Sequence, residues 1–188
     1  MTYKSIRAAI KRHVRAKRLF ALEMGDVSDP VKRILVYSES VRGLLEGPWV
    51  HYSCAPRVGR LRADLEAFVR GDPISICLEP YVAGDAFLGR LAEPTDEVWD
   101  MRAREPNPAL RLFGRFAAPD HFVAFDWRPR SKPWNGREAL TDRHDPGWET
   151  VKTDCKRQWE TLFPKHEPFH DLENANEYIT ENGHSFRD

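Results

Sequence analysis

The sequence predicts an α+β fold: an antiparallel twisted sheet of four or five strands with helices packed on one face. Two observations lead to this expectation. Residues 97–128 contain three alternating segments separated by strong turn signals, and helical periodicity occurs on both sides of them along the chain. The chain has 188 residues, of which 41% are hydrophobic and 31% charged, so it can bury a core and fits one ordinary domain.

The N-terminal segment is expected to form a basic amphipathic helix. Ile6, Ile10 and Val14 recur at helical spacing, and the predicted helix ends near Gly25. The segment carries seven Lys or Arg residues against a single acid, Glu23. The sequence thus divides into three parts: the basic helix (1–25), an α+β body (26–147), and a C-terminal helix with an acidic tail (148–188).

The first part of the body predicts two strands and a helix between them. Residues 31–38 are rich in β-branched side chains, and residues 74–79 alternate apolar and polar side chains, so both predict strands. The spacing of leucines predicts a helix over roughly 57–70, ended by Gly71. Residues 85–92 show no clear period, and we expect a short helix or irregular chain there.

Three strands follow in a meander. The segments 97–104, 109–116 and 121–128 alternate in polarity, and the sequences between them, EPNP and AAPD, are typical of turns. Short connections of this kind join antiparallel neighbours. The sequence therefore predicts three consecutive antiparallel strands at the centre of the chain.

Helical spacing returns after a loop rich in proline, glycine and tryptophan over residues 129–147. Val151, Cys155 and Trp159 lie on one stripe of the predicted helix, so Cys155 is expected in the core. Charge is distributed unevenly along the chain. It has 29 Lys plus Arg and 29 Asp plus Glu in total, but residues 138–188 contain twelve Asp or Glu and only six Lys or Arg. Zero net charge excludes a uniformly basic nucleic-acid coat.

Strand alternation places a basic surface on one face of the predicted sheet. Trp99, Leu112 and Phe125 are expected on the apolar face. The opposite face collects arginines around Phe113, and the basic residues are Arg102, Arg104, Arg111, Arg115 and Arg128, with Arg130 and Lys132 beyond the strand end. A solvated face with arginine–carboxylate pairs explains this pattern. A phosphodiester site, with bidentate arginines and a base stacked on the aromatic ring, explains it equally well.

The meander resembles the end of the RelE/HigB group of bacterial toxin folds. The segments VWDMRAR, LRLFGRF and HFVAFDWRPRSK are similar to the "YELR", "YRVLY" and "F-x-K-K" strands of that group. The resemblance covers roughly residues 31–132 and implies a RelE-like sheet that binds RNA on the ribosome. Arg102 takes the position of the "ELR" arginine and Arg111 that of the "YR" arginine. Trp99 and Leu110 stand where the group has tyrosines.

The resemblance implies a metal-independent endoribonuclease that cleaves mRNA, the toxin of a toxin–antitoxin system with a cognate antitoxin protein. In this interpretation Arg102 and Arg111 stabilise the scissile phosphate, and His121 or Lys132 transfers protons. The RNA-binding residues are Arg104, Phe113, Arg115, Arg128 and Arg130. The alternative is a non-enzymatic binding protein on the same fold, such as a toxin-like inhibitor of a protein target or a phage or mobile-element accessory protein.

No metal or other cofactor is expected. Residues 166–170 match the H-E-x-x-H string of zinc peptidases, but Pro168 prevents both histidines from lying on one helix face. The sequence contains no GxGxxG, P-loop or GxSxG string. Three cysteines without a CxxC pair, no secretory signal and no long apolar run predict a cytoplasmic protein with no membrane partner.

Overall fold

The structure, a computed structural model, describes residues 3–80, 82, 84–171 and 173–185. The helices of this part are α1 (Tyr3–Arg15), α2 (Glu39–Glu46), α3 (Ala55–Arg70), α4 (Gly147–Leu162) and α5 (Ala175–Tyr178). The strands are β1 (Phe20–Ala21), β2 (Ile34–Tyr37), β3 (Ile74–Cys77), β4 (Leu88–Arg90), β5 (Trp99–Ala103), β6 (Leu110–Ala118), β7 (His121–Pro129) and β8 (Gly183–Ser185). None of the described helices is both long and apolar enough to cross a bilayer.

Within the described residues, eight strands form one open mixed sheet in the order β1-β2-β7-β6-β5-β4-β3-β8. The pairs β2/β7, β3/β4 and β3/β8 are parallel, and the others are antiparallel. The predicted four- or five-stranded antiparallel, RelE-like sheet is therefore wrong. On one side of the meander β2 pairs with β7 in parallel, and on the other β4 pairs with β5 antiparallel and is followed by the parallel strands β3 and β8. Parallel pairing depends on chain crossovers that local alternation does not record. β4, inside the segment expected to be helical or irregular, has only three residues.

The predicted meander itself is confirmed. β5, β6 and β7 pair antiparallel, and the register places Arg102 opposite Arg111 and Arg111 opposite Arg128. The register shifts at Gly114, where β7 contributes one extra residue. A Cβ at position 114 would lie 2.8 Å from the carbonyl carbon of Val123, so only glycine fits there. Three arginines from three strands thus form one row across the sheet.

Helices α2 and α3 cover one face of the sheet, which we call the α2/α3 core. Leu65 and Phe68 of α3 pack with Trp99, Leu112 and other apolar side chains of the meander, as alternation predicted. The helix α3 ends where the sequence predicted, because Gly71 takes a left-handed conformation at φ 88° and caps it.

Helices α1 and α4 cover the other face, which we call the α1/α4 core. Phe113 and Phe125 of the sheet pack there with Cys155 and Trp159 of α4, and both phenylalanines are fully buried. The expectation that helices pack on one face only is therefore wrong, and so is the placement of Phe125 beside Leu112. The bulge in β7 reverses the alternation of that strand, which turns Phe125 towards α4. Burial also raises the pKa of the Cys155 thiol.

The helix α1 is shorter than predicted and ends at Arg15 instead of near Gly25. Lys17 takes a positive φ of 55°, and the chain then reverses into β1, where Phe20 pairs with Tyr37. Leu19 is buried in the α1/α4 core. The apolar residues after position 18 therefore belong to a strand and its approach, although their spacing continues the helical period.

The C-terminal segment completes the opposite edge of the sheet. β8 pairs with β3, and Tyr178 of α5 is fully buried in the α2/α3 core. Its hydroxyl donates a hydrogen bond to the buried carboxylate of Glu97 at 2.8 Å, and burial raises the pKa of Tyr178. β8 and Tyr178 thus anchor the described C-terminal residues to the sheet.

We expect Leu112→Ala to lower the free energy of unfolding by about 2–5 kcal/mol, because Leu112 is fully buried and its removal leaves a cavity. Chemical denaturation followed by circular dichroism measures this loss. Val27→Ala is the control, since Val27 is 99% exposed and its truncation should change stability by less than about 0.5 kcal/mol. Equal losses in the two variants would contradict the assigned core.

Candidate anion-binding site

A pocket of about 220 Å³ lies where strands β4, β5 and β6 meet the first turns of α4. We call it the arginine pocket. Its other lining comes from the segment around Gly84 and from the loop after β7. Six of its lining side chains are cationic, namely Arg90, Arg102, Arg111, Arg130, Arg143 and Lys152. The pocket is therefore a place where positive charge from five separate chain segments converges.

The floor of the pocket depends on one buried carboxylate. Asp100 is fully buried on β5, and the Nε of Arg102 donates to its Oδ1 at 2.9 Å. Arg111, opposite Arg102 on β6, donates from Nη1 to the Oδ2 of the same carboxylate. One negative charge thus orients two guanidinium groups, and the trio keeps a net positive charge.

A glycine in the neighbouring strand leaves room for Arg102. A Cβ at Gly89 of β4 would lie 2.6 Å from the guanidinium carbon of Arg102 and 2.8 Å from Oδ1 of Asp100. Any other residue at this position would push the guanidinium out of place. The absence of a side chain in β4 therefore lets Arg102 lie across the sheet.

Trp148, in the first turn of α4, fixes two more of the cations. The guanidinium carbons of Arg111 and Arg130 each lie 5.3 Å from the centre of its ring. The ring is held in turn, because its Nε1 donates to the carbonyl of Asp142 at 2.6 Å and Phe113 packs edge-on at 5.8 Å. Trp148 thus limits the motion of both guanidinium groups.

Arg130 lies at the end of β7 in a desolvated position. Its Nη1 donates to the carbonyl of Leu140 at 2.7 Å. Burial lowers the pKa of Arg130, and the nearby charge of Arg111 lowers it further. Among the residues that the structure describes, neither Arg130 nor Arg143 has an acidic ion-pair partner. An anion in the pocket would relieve this unbalanced charge.

The wall formed by α4 adds a lysine and an acid. Nζ of Lys152 donates to the carbonyl of Ala92 and contacts the carboxylate of Glu149, both at 2.6 Å. Arg90 contacts the buried Glu97 at 3.3 Å. The six cations are thus in contact with three described carboxylates, those of Glu97, Asp100 and Glu149. The positive end of the α4 dipole lies at the same wall.

The structure brings only part of the predicted site together. Arg102, Arg111 and Arg130 line the pocket. Arg104 lies beside it, where it pairs with Asp85 and donates to the carbonyl of Gly84. These four arginines form the part of the predicted basic surface that is assembled at one place.

Three other predicted residues are near the meander but outside the pocket lining. Arg128 pairs with Asp126 at 2.6 Å. Arg115 is buried beneath α4, with its guanidinium carbon 5.5 Å from the ring centre of Trp159. Phe113 has no exposed surface, so it cannot stack on a base as the sequence predicted. Because α4 covers this part of the sheet, only its uncovered end presents arginines to a ligand.

The two predicted proton-transfer residues also lie elsewhere. His121 begins β7, and nine residues at roughly 3.3 Å each place it roughly 30 Å from Arg130. It contacts the carbonyl of Pro119 at 2.7 Å, and burial lowers its pKa. Lys132 is exposed in the loop after β7 and does not line the pocket.

Sequence reasoning missed Arg90, Arg143, Trp148 and Lys152. Trp148, Val151 and Cys155 are at i, i+3 and i+7, so Trp148 continues the apolar stripe of α4, and it packs against the α1/α4 core. Lys152 lies one turn after Trp148. The extension of the stripe back to Trp148 was the available signal. The sequence gives no signal for Arg90, which lies in a three-residue strand, or for Arg143, which lies in a loop.

The H-E-x-x-H string does not form a helix, as its proline predicted. Residues 166–170 are irregular, and Nδ1 of His170 contacts Glu97 at 3.0 Å. In the described part of the chain, no group of three or more His, Cys, Asp or Glu side chains is placed to hold a metal ion.

The fold and the site together define a three-layer protein with a mixed central sheet. Its cationic pocket lies between this sheet and the first turns of α4. Comparison of the chain with known protein families, with curated proteins and with solved structures gives no match in any of the three.

We expect Asp100→Asn to lower the free energy of unfolding by about 3 kcal/mol, because it leaves two partly buried arginines without a negative partner. Thermal and urea unfolding of the purified variant measure the loss. Glu46→Gln is the control, since this half-exposed carboxylate lies 4.0 Å from Arg42 and its loss should cost less than about 1 kcal/mol. An unchanged stability of Asp100→Asn would contradict the role of this carboxylate.

Proposed function

We propose that the protein binds RNA and that the arginine pocket receives one of its phosphate groups. The observation that carries the proposal is the set of unused donors on Arg102, Arg111 and Arg130. Arg102 donates only from Nε, and Arg111 and Arg130 only from Nη1. The other guanidinium N–H groups of these three residues have no acceptor in the part of the chain that the structure describes. Phosphate oxygens match such donors in charge and geometry.

The basic helix α1 favours a polymer over a small phosphate ester. α1 packs on the same sheet face as α4, and no acid occurs before Glu23. Six exposed cations lie on it or just after it, namely Arg7, Lys11, Arg12, Arg15, Lys17 and Arg18. Two groups of cations on this side of the sheet, those of the pocket and those of α1, suit a ligand with several phosphates.

RNA is chosen over DNA because the strands that supply Arg102 and Arg111 resemble strands that bind RNA in bacterial toxins. The proposal is limited to binding, since His121 and Lys132 lie outside the pocket. The predicted mRNA cleavage and the cognate antitoxin stay predictions. A binding protein without enzymatic activity would use the arginine pocket in the same way. We also propose a cytoplasmic location, which is supported by three cysteines that are all buried as free thiols.

We expect Arg111→Ala to weaken RNA binding about tenfold or more, because it removes charge-assisted donors from the pocket. Arg111→Lys should recover only part of the affinity, since an ammonium cannot reproduce the bidentate guanidinium. Fluorescence anisotropy with a labelled single-stranded RNA measures both, and a DNA of the same sequence tests the preference for RNA.

The matched control is Arg60→Ala. Arg60 is exposed on α3, on the opposite side of the sheet, and should leave affinity unchanged. If a folded Arg111→Ala variant binds RNA as tightly as the wild type, the RNA-binding site lies outside the pocket. No measurable binding of RNA by the wild type would overturn the proposal.

A further inference from the structure

We propose that the arginine pocket recognises a terminal phosphate monoester of an RNA strand and discriminates against the internal diesters of the backbone. The inference rests on the proposed function and deepens it. It concerns the end of the strand, and both a 5′-phosphate and a 3′-phosphate have the required chemistry.

The charge of the pocket matches a dianion better than a monoanion. Six cationic side chains line it, and the described carboxylates in contact with them are those of Glu97, Asp100 and Glu149. Among the described residues, the cations of the lining thus outnumber the carboxylates in contact with them by three. A backbone phosphodiester brings one negative charge, whereas a terminal monoester brings about 1.5 to 2 at neutral pH. The terminal group thus neutralises more of the pocket.

The number of unused donors also favours a terminal group. Arg102, Arg111 and Arg130 each present N–H groups without an acceptor among the described residues. A terminal phosphate has three oxygens that are strong acceptors, whereas an internal diester has two unesterified oxygens. Each of the three guanidinium groups can therefore meet an oxygen of its own only in the monoester.

The depth of these donors excludes a continuous backbone from the floor. The side chain of Arg102 is 10% exposed, and that of Arg111 is 19% exposed. A phosphate that contacts both must enter the pocket of about 220 Å³. An internal phosphate has ester links on both sides, and both strand segments would have to enter with it. A terminal phosphate has a single ester link and can enter alone.

The test uses the full chain and one short RNA sequence in four forms. The first form carries a 5′-phosphate, the second a 3′-phosphate, the third hydroxyls at both ends, and the fourth is closed into a circle. Each has the same internal fluorophore. We expect at least one phosphorylated form to bind about tenfold tighter than the hydroxyl-ended form and the circle, the effect of an additional charge-assisted contact. Inorganic phosphate should compete with that form.

The ratio of affinities for phosphorylated and hydroxyl-ended RNA is the decisive readout. Arg102→Gln should remove the preference, because it deletes the less exposed of the two guanidinium groups that Asp100 holds on the pocket floor, and Arg60→Gln should leave it unchanged. Arg130→Gln is a second pocket variant in case Arg102→Gln does not fold, which thermal melting checks. The preference should also fall below about pH 6, where the terminal phosphate gains a proton.

The outcomes separate this inference from the proposed function. Equal affinity for all four forms, still lost in Arg111→Ala, would keep RNA binding in the pocket and overturn end recognition. A preference that both pocket variants retain would overturn the assignment of the end to this pocket. Failure of every form to bind the wild type would overturn both proposals.

Discussion

The carboxylate of Asp100 is the interaction on which the pocket depends. It is fully buried in β5, and it holds Arg102 of its own strand and Arg111 of the next. A buried charge is tolerated only when paired, so two arginines at this position compensate one acid and leave a positive charge facing outward. Gly89 in the adjacent strand leaves the space that this arrangement needs. The floor of the site is thus set by the register of three strands.

A second buried carboxylate connects the pocket to the rest of the fold. Glu97 accepts hydrogen bonds from Arg90, Trp99 and Tyr178, and it contacts His170 at the surface. Arg90 belongs to the pocket lining, whereas Tyr178 comes from the C-terminal segment. The C-terminal segment therefore supports the pocket through the carboxylate of Glu97.

The sequence predicts the meander well, because alternation in Trp99, Met101 and Leu112 reflects burial that each strand experiences separately. It cannot predict which strands lie beside the meander, since β4 has only three residues and the parallel pairing of β2 with β7 leaves no local pattern. The bulge that turns Phe125 arises from two strands together. For the site, Arg102 and Arg111 were predictable from one face of the sheet. Arg90 and Arg143 were not, because tertiary packing alone brings them there.

The lining of the pocket comes from segments far apart in the chain, from Gly84 to Lys152. In an unfolded chain these segments do not meet, so an anion that fills the pocket binds the native state alone. Such a ligand adds its binding free energy to the stability of the fold, by an amount that grows with the logarithm of its concentration. The melting temperature of the protein then becomes a measure of how much ligand is present.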